Sequence, residues 1–396
     1  MRKLRLGVIG LGRAFSLMLP TLAQHAKLEI VAGTDVRADA RERFAREFAA
    51  KSHPNAEALA DDPGVEAVYI ATPHELHAAH AQLAAAHRKH ILVEKPMALS
   101  LADATAMIDA ARAAGVVLVV GPSHSFDAPI GHTRKLIAGG GFGELRMIQA
   151  LNYTDWLYRP RRPEELDPHA GGVLVNQAPH QVDVVRLIAG GMARTVRASV
   201  GAWDRARPAP AAYAAHVTFA NGAFASLTYS GFGHFDSDEF MGSVGEGGEP
   251  KDRARSGSAR ARLAGLASAE QESSLKAATN YGGADYGGPP ASPRAAPRHH
   301  QHFGLVIASC ERADLRPTPD GVVIYDDSGV RLEPLPPPAV PRSEAIDELY
   351  GAVMEGRAPL HDGTWSRATM EVCLAMLDSA RTGREVVLQH QVGLRA

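Results

Sequence analysis

A lysine and a histidine in this chain have the residue types expected of groups that act on a hydroxyl. Lys95 lies within Glu94-Lys95-Pro96, directly after the apolar run 91–93, so a strand ending there would hold its ammonium beside a bound ligand. His180 follows 85 residues later. An ammonium stabilises negative charge that develops on an oxygen, and an imidazole accepts a proton near neutral pH. We expect both to act on one alcohol oxygen; the alternatives are a solvated lysine and a core histidine.

Two polar residues flank His180 at helical spacing. Asn176 lies four residues before it and Asp183 three residues after it, so on a continuous helix both would share its face. Asn176 can hydrogen-bond or orient the imidazole, but it supplies no negative charge. Asp183 is expected to cap or orient the helix, or to pair with Arg186.

A glycine-rich segment near the N-terminus follows a predicted strand and opens a predicted helix. Its residues are Gly10, Leu11, Gly12, Arg13, Ala14 and Phe15. Gly10 allows the tight turn and Gly12 lets the backbone approach a pyrophosphate, which the first amides of the helix then face. Phe15 stands where this fingerprint has a third glycine, so the match is incomplete. The segment predicts a dinucleotide site; the alternative is a purely structural turn.

Asp35 ends the second predicted strand, 25 residues after Gly10. A carboxylate there accepts hydrogen bonds from ribose hydroxyls and repels a 2′-phosphate, which favours NAD. Arg37 is a possible partner for such a phosphate, so NADP is not excluded. The alternative role for Asp35 is a helix cap before Ala38.

The order of predicted elements changes after about residue 122. Before it, short apolar strands alternate with Ala-rich helices, as in a parallel sheet covered by helices. After it, longer alternating segments, the Asn221-Gly222 turn and one helix over 176–188 predict an α+β domain with an antiparallel sheet. We assign 1–122 to a nucleotide-binding domain and 123–396 to a substrate domain. A loop-rich insertion at about 245–298 is either an excursion of the second domain or poorly ordered.

Composition excludes several classes of function. The 42 basic residues against 44 acidic ones give a formal charge of −2, which does not favour nucleic acid or a membrane surface as partner. Cys310 and Cys373 have no metal or redox spacing. We find no secretion signal and no apolar run long enough for a membrane helix, and expect a cytoplasmic protein that binds a small molecule.

These motifs together resemble the Gfo/Idh/MocA oxidoreductases. The resemblance rests on Gly10-Leu11-Gly12, the segment from Ala71-Thr72-Pro73 to His77, Glu94-Lys95-Pro96, the segment from Gly171-Gly172 to Asp183, and Gly383-Arg384-Glu385-Val386. The family implies an α/β protein, with an N-terminal Rossmann domain and a C-terminal α/β domain. Its large, mainly antiparallel open sheet often forms contacts in a homo-oligomer.

The resemblance also implies roles for individual residues. Lys95 is expected beside the nicotinamide, with a lowered pKa and a cis peptide bond to Pro96. Many relatives carry aspartate at the position of Asn176; because asparagine has no negative charge, Asn176 is assigned hydrogen bonding or orientation only. The residues expected to line or support the coenzyme are Ala71, Thr72, Pro73, His74, His77 and Glu94. The family needs no metal, and we interpret 299–302, with three histidines, as the return of the insertion to the sheet.

An aromatic and basic segment precedes the histidine helix. Its candidate substrate-binding residues are Trp156, Tyr158, Arg159, Arg161 and Arg162. Arginine forks bind carboxylates, and aromatic rings can cover a cyclic ligand. The alternative is a solvated loop that meets another subunit. With Asn176-Gln177 and residues 234–240, the segment resembles the phthalate 4,5-cis-dihydrodiol dehydrogenases, which implies a cyclohexadiene cis-diol with two carboxylates as substrate and a catechol as product.

Two other functions remain open from the sequence. A sugar or cyclitol dehydrogenase of the same family would leave the arginines peripheral, and turnover of simple sugars or inositol would reveal it. A non-catalytic NAD-binding sensor would bind coenzyme without oxidising any alcohol, and Asn176 in place of aspartate leaves room for it.

Overall fold

The computed structural model describes residues 2–255, 257–286 and 297–394. The chain divides into two compact units, the first comprising Met1–Pro122, Ser274–Ala296 and Ala339–Arg367, and the second comprising the rest. The first division falls where we placed it, after residue 122. The assignment of all of 123–396 to one domain is corrected, since two later stretches of the chain belong to the first unit. The chain therefore passes between the units several times.

The first unit is built on a parallel sheet. Its strands are β1 (Leu4–Ile9), β2 (Leu28–Thr34), β3 (Lys51–Ser52), β4 (Ala67–Ile70), β5 (His90–Val93) and β6 (Leu118–Val120). They follow the order β3-β2-β1-β4-β5-β6, so the direction of winding reverses between β1 and β4. Ligands of open parallel sheets bind at the carboxyl ends of the strands beside such a reversal. The predicted fold class is confirmed for this unit.

Helices connect these strands. They are α1 (Arg13–Gln24), α2 (Ala38–Phe48), α3 (Ala56–Asp61), α4 (His77–Ala86) and α5 (Leu101–Ala114). The helix α5 is capped at both ends, because the Ser100 side chain accepts a hydrogen bond from the Asp103 amide and Gly115 ends the helix with φ +67°. The alternation of apolar and Ala-rich stretches did not predict α3 or the two-residue β3. A short 3-10 turn, His74–Leu76, precedes α4.

The second unit contains a nine-stranded sheet. Its strands are β7 (Leu145–Tyr153), β8 (Ala193–Gly201), β9 (Ala212–Phe219), β10 (Phe224–Ser230), β11 (Leu305–Cys310), β12 (Ala313–Thr318), β13 (Gly321–Asp326), β14 (Gly329–Pro334) and β15 (Val386–Val387). Their order is β14-β13-β12-β11-β7-β10-β9-β8-β15, and among the described pairs only β7 and β10 run parallel. Asn221-Gly222 forms the predicted turn between β9 and β10, with Gly222 at φ +84°. The role of this sheet in oligomer contacts stays a prediction.

The helices beside this sheet differ from the prediction at one important point. They begin with α6 (Ala128–Ala138), α7 (Val173–Asn176) and α8 (Ala178–Ala189). The single helix expected over 176–188 is broken at Gln177, which has φ −118°. Pro179 explains the break, because proline has no amide hydrogen and its ring conflicts with the carbonyl four residues earlier. Proline near a helix start is in contrast favourable.

The described part of the insertion contains two helices. They are α9 (Ser258–Ala264) and α10 (Ala269–Ala278), and the chain enters the first unit within α10. Residues 256 and 287–296 lie outside the described residues, so the expectation of poor order is not settled for them. After the sheet come α11 (Ser343–Met354) and α12 (Gly363–Thr382). No helix of the described residues is long and apolar enough to cross a membrane.

Candidate active site

The glycine loop of the first unit has the geometry of a phosphate-binding turn. Gly10 has φ +95°, and a Cβ atom there would lie 2.8 Å from the Ala71 carbonyl oxygen, so only glycine fits. A Cβ atom on Gly12 would meet no described atom within 4 Å, which means that the space before this residue is open. The helix α1 begins at Arg13, so its first amides are directed at that space. These residues fit the pyrophosphate of a dinucleotide.

Asp35 lies beside this loop at the end of β2. Its Oδ2 accepts a hydrogen bond from the Leu11 amide at 2.7 Å, and its Oδ1 accepts one from the Arg37 amide at 2.9 Å. The carboxylate is thus placed next to the glycine loop, as a ribose-binding group requires. The alternative role as a cap is not supported, because α2 has no side-chain cap among the described residues.

His77 supports two turns of the coenzyme site. Its ring is fully buried, with Nδ1 2.9 Å from the Pro96 carbonyl oxygen and Nε2 3.0 Å from that of Thr72. Burial lowers the pKa of His77, although both carbonyl contacts oppose that shift. We predicted His77 as a coenzyme contact; its ring instead joins the turn after β4 to the turn after β5. His74, on the preceding 3-10 turn, is only partly buried. Its role as a coenzyme contact stays a prediction.

Removing this brace should destabilise the protein. We expect His77→Ala to lower the free energy of unfolding by about 2–5 kcal/mol, because it removes the imidazole donor that lies between the two carbonyl oxygens and opens a cavity. Urea denaturation followed by circular dichroism measures the change. Glu75→Gln, at an exposed position of the same turn, is the control and should stay within about 0.5 kcal/mol of the parent. Equal stability of both variants would contradict the bracing role.

Lys95 lies in the turn that follows β5, and its peptide bond to Pro96 is cis, as the resemblance implied. The neighbouring Glu94 carboxylate accepts a hydrogen bond from the Tyr69 hydroxyl at 2.5 Å, and Tyr69 is fully buried. Burial raises the pKa of Glu94, while Tyr69 and the charge of Lys95 oppose the rise. This hydrogen bond holds Glu94 against β4, the strand that contains Tyr69. A fixed position of this kind favours a role for Glu94 in bracing Lys95 over one in binding ribose.

In the second unit, His180 is surrounded by a cluster of polar and aromatic side chains, which we call the histidine cluster: Ser123, His124, Asp127, His180 and Phe303. The Ser123 hydroxyl lies 3.4 Å from His180 Nδ1. The ring of His124 is centred 4.9 Å from that of His180, and Phe303 packs against both, at 5.2 and 5.1 Å.

His124 and Asp127 of this cluster were missed in the sequence analysis. Nδ1 of His124 lies 2.7 Å from Asp127 Oδ2, the arrangement in which a carboxylate orients an imidazole. The sequence pattern that could have identified this pair is the spacing of three residues between His124 and Asp127, shortly after Gly121-Pro122. That spacing alone is common on protein surfaces, and only the fold brings the pair to His180.

Asn176 does not share a helix face with His180 as predicted. It ends α7, whereas His180 lies in the first turn of α8. The Asn176 amide donates to the Gly172 carbonyl at 3.0 Å. The premise of the catalytic assignment of Asn176 is thus corrected. Asp183 is buried and accepts a hydrogen bond from Thr369 at 2.9 Å, which fits its predicted structural role.

Arg159 is a partly exposed arginine with two carboxylates beside it. Its Nε donates to Asp155 Oδ1 at 2.8 Å, and its Nη1 lies 3.7 Å from Glu246 Oε2. Burial opposes its charge, but Glu246 and Asp155 raise the pKa of Arg159 above its ordinary value. Burial raises the pKa of Glu246, but the charges of Arg159 and His124 outweigh it and the pKa lies below its ordinary value. The side chain of Arg159 is 41% exposed, so a ligand can reach it.

The other predicted substrate residues have mainly structural contacts. Arg161 donates to the Trp156 carbonyl at 2.7 Å and covers the Trp156 ring, 4.0 Å from its centre. Burial lowers the pKa of Arg161 to about 10. The guanidinium of Arg260 lies 3.5 Å from the centre of the Tyr158 ring. Trp156 and Tyr158 are both buried, so the prediction that they cover a ligand is corrected.

Two further predictions concern Arg162 and the segment 299–302. Arg162 is half exposed and lies 3.7 Å from Glu165, so it fits the solvated-loop alternative. His299 and His302 precede β11, as expected for the return of the insertion to the sheet, and His302 contacts the Val244 carbonyl at 2.8 Å. Among the described residues, no group of three or more histidine, cysteine, aspartate or glutamate side chains is arranged to hold a metal ion.

Comparison with protein families matches both units. Residues 4–122 match the model described as an oxidoreductase family with an NAD-binding Rossmann fold. Residues 130–249 match the Gfo/Idh/MocA C-terminal domain.

Individual relatives match over nearly the whole chain. The 1-carboxy-3-chloro-3,4-dihydroxycyclohexa-1,5-diene dehydrogenase of Comamonas testosteroni is 43% identical over 381 residues, which cover 96% of this chain and 95% of that protein. The crystal structure of a proposed dehydrogenase from Bordetella bronchiseptica RB50 has a TM-score of 0.89 at 40% identity and covers 97% of this chain and 100% of that one. The WlbA dehydrogenase from Bordetella pertussis, solved with NADH and UDP-GlcNAcA, has a TM-score of 0.69 at 19% identity, with 98% and 99% covered, and shows the fold alone.

Proposed function

This chain belongs to the Gfo/Idh/MocA family of NAD-binding oxidoreductases, and from that membership we propose that it oxidises a ring hydroxyl of a carboxylated cyclic cis-dihydrodiol. The observation that carries the proposal is the 43% identity, over 96% of the chain, to a dehydrogenase whose named substrate is a carboxylated dihydroxycyclohexadiene. Our candidate within that class is phthalate 4,5-cis-dihydrodiol, with 4,5-dihydroxyphthalate as product, in the catabolism of aromatic compounds.

The proposal gives a role in the reaction to residues of both units. NAD, when bound, supplies the hydride acceptor, and the glycine loop with Asp35 would hold it. Lys95 stabilises the negative charge that develops on the substrate oxygen as the carbon–hydrogen bond breaks. His180 accepts the hydroxyl proton. The hydroxyketone then loses a ring proton to its own carbonyl oxygen through tautomerisation, and the aromatic catechol that results draws the reaction forward.

The histidine cluster supports proton transfer by His180. Asp127 fixes the orientation of His124 through Nδ1, and the His124 ring packs edge-on against His180. Phe303 packs against both rings and limits their rotation. Ser123, within reach of His180 Nδ1, is positioned to stabilise one tautomer of that imidazole. We assign these residues to positioning rather than to direct contact with the substrate.

Arg159 is our candidate for the substrate carboxylate. Arg159→Gln is expected to raise KM for the phthalate dihydrodiol about 10- to 100-fold with little change in kcat, because a charge-assisted hydrogen bond contributes about 1.5–3 kcal/mol. Steady-state kinetics with this diol and with the uncharged cyclohexadiene cis-diol measures the effect.

Arg162→Gln is the matched control, since the Arg162 side chain is half exposed and lies 3.7 Å from the Glu165 carboxylate. It should change KM for either diol less than about threefold, as is usual for exposed ion pairs. A thermal melt of Arg159→Gln shows whether its fold is kept. An equal rise in KM for the uncharged diol would contradict carboxylate recognition by Arg159.

A panel of alcohols tests the proposed substrate class against its rivals. With NAD present, nicotinamide absorbance should rise with carboxylated cis-dihydrodiols and stay flat with myo-inositol and simple sugars. The opposite pattern would establish the sugar or cyclitol alternative. Binding of NAD without turnover of any alcohol in the panel would favour the non-catalytic sensor.

A further inference from the structure

Part of the insertion belongs to the nucleotide-binding unit. Residues 274–286, which we call the insertion segment, fall within the stretch that packs with the first 122 residues. Tyr281 of this segment is fully buried, and its ring lies 5.2 Å from Phe15, 6.4 Å from Phe44 and 6.4 Å from Phe48. Aromatic pairs at these distances stabilise a packed core. Phe15 is the bulky residue that makes the glycine fingerprint incomplete. In the structure its ring forms part of the surface against which Tyr281 packs.

Polar contacts fix the same residue in place. The Tyr281 hydroxyl donates to Glu47 Oε2 at 2.6 Å, at the end of α2. The guanidinium of Arg43 lies 5.9 Å from the centre of the Tyr281 ring and 5.0 Å from that of Tyr286. Ring, hydroxyl and neighbouring cation therefore hold the main chain of Tyr281 in one position.

That main chain binds Arg37. The Tyr281 carbonyl oxygen accepts a hydrogen bond from Arg37 Nη1 at 3.2 Å. Nε of Arg37 donates to Asp35 Oδ1 at 3.1 Å, and Nη2 donates to the Leu11 carbonyl at 2.7 Å. Each of the three guanidinium nitrogens thus donates to a different element: the insertion segment, the end of β2 and the glycine loop.

We propose that the insertion segment sets the preference for NAD by holding Arg37 away from a 2′-phosphate. A planar guanidinium recognises phosphate by presenting two donors along one edge, and turning it to do so would break at least one of these three bonds. A phosphate monoester also carries a charge of about −1.5 to −2, which Asp35 beside the glycine loop repels. The guanidinium of Arg37, which from the sequence was a possible partner for a 2′-phosphate, is in the structure bonded to Asp35, Tyr281 and Leu11.

The proposal predicts a specific change when the carbonyl of Tyr281 is released. Equilibrium titration of the full chain gives the ratio of the dissociation constants for NADP and NAD, which should be at least tenfold in the parent protein. Tyr281→Ala removes the ring and hydroxyl anchors, so Arg37 can turn toward the phosphate and the ratio should fall at least fivefold. Arg37→Met added to that variant should abolish the gain. Tyr286→Phe, a change in the same segment that leaves the Tyr281 anchors intact, should keep the ratio within twofold.

A second variant tests the idea without disturbing the aromatic packing. Arg37→Met alone should leave the ratio within about threefold of the parent, because the proposal gives Arg37 no bond to a 2′-phosphate. A rise of tenfold or more, caused by loss of NADP binding, would overturn the proposal. So would an unchanged ratio in folded Tyr281→Ala; if that variant does not fold, Arg37→Met alone decides. These titrations need no substrate, so their outcome is independent of the proposed dihydrodiol activity.

Discussion

Replacement of Lys95 by alanine is expected to lower kcat about 10²- to 10⁴-fold. The reason is that its ammonium stabilises charge on the substrate oxygen mainly in the transition state, and loss of one such donor, or of acid–base help, has effects of this size. The dissociation constant for NAD should change less than about threefold, because the glycine loop and Asp35 are untouched. Stopped-flow or steady-state absorbance of the nicotinamide measures turnover, and titration measures coenzyme binding.

Lys3→Ala is the matched control, since Lys3 is an exposed lysine of the same unit. It should retain the parent kcat. Lys95→Arg separates charge from geometry, because arginine keeps a cation but is larger and differently shaped; partial activity would show that charge alone contributes. A kcat for Lys95→Ala within threefold of the parent would remove Lys95 from the mechanism.

Replacement of His180 by glutamine should lower kcat about 10²- to 10³-fold, because the substrate hydroxyl then lacks a general base. Glutamine keeps the approximate size and hydrogen-bonding capacity of the side chain, so α8 and the histidine cluster should remain folded. The parent rate should rise from acidic to neutral pH, since only the deprotonated imidazole accepts a proton. That rise should disappear in the variant.

Added imidazole should restore part of the lost activity if the defect is in proton transfer. His216→Gln, at an exposed position of β9, is the control and should keep both the rate and its pH dependence. A variant at position 180 that keeps the parent pH profile would assign the base to another residue. The nearby His124 would then be the next candidate, because Asp127 already orients it.

The local motifs were the most predictable part of this molecule. The apolar run before Gly10 predicts the strand, and Gly10 and Gly12 predict the tight turn that leads into the helix. The turn at Lys95-Pro96 is equally local. Each of these depends on neighbours in the sequence, so composition and spacing contain the needed information.

Contacts between distant segments explain the main errors. The histidine cluster joins Ser123 and His124 to Phe303 across more than 170 residues, and no spacing rule relates them. The roles of Trp156 and Arg161 were misjudged for a similar reason, since the aromatic and cationic groups that looked ready for a ligand pack on each other. The break in the helix before His180 could have been predicted, because Pro179 lies inside the helix expected over 176–188.

The division into units shows the same limit. Residues 274–296 lie within the predicted insertion of the second domain, yet Tyr281 packs with Phe15 in the nucleotide unit. The strand β12 was missed because Pro317 interrupts its pattern, although its neighbour β13 pairs with it along its full length.

Quantifying both products of the reaction tests the central claim most directly. Purified protein with NAD and phthalate 4,5-cis-dihydrodiol should form NADH and 4,5-dihydroxyphthalate in equal amounts, and a carboxylated cis-diol carrying deuterium at the oxidised carbon should transfer that deuterium to NADH. Absence of NADH with every carboxylated cis-dihydrodiol, in a preparation that binds NAD, would contradict the account.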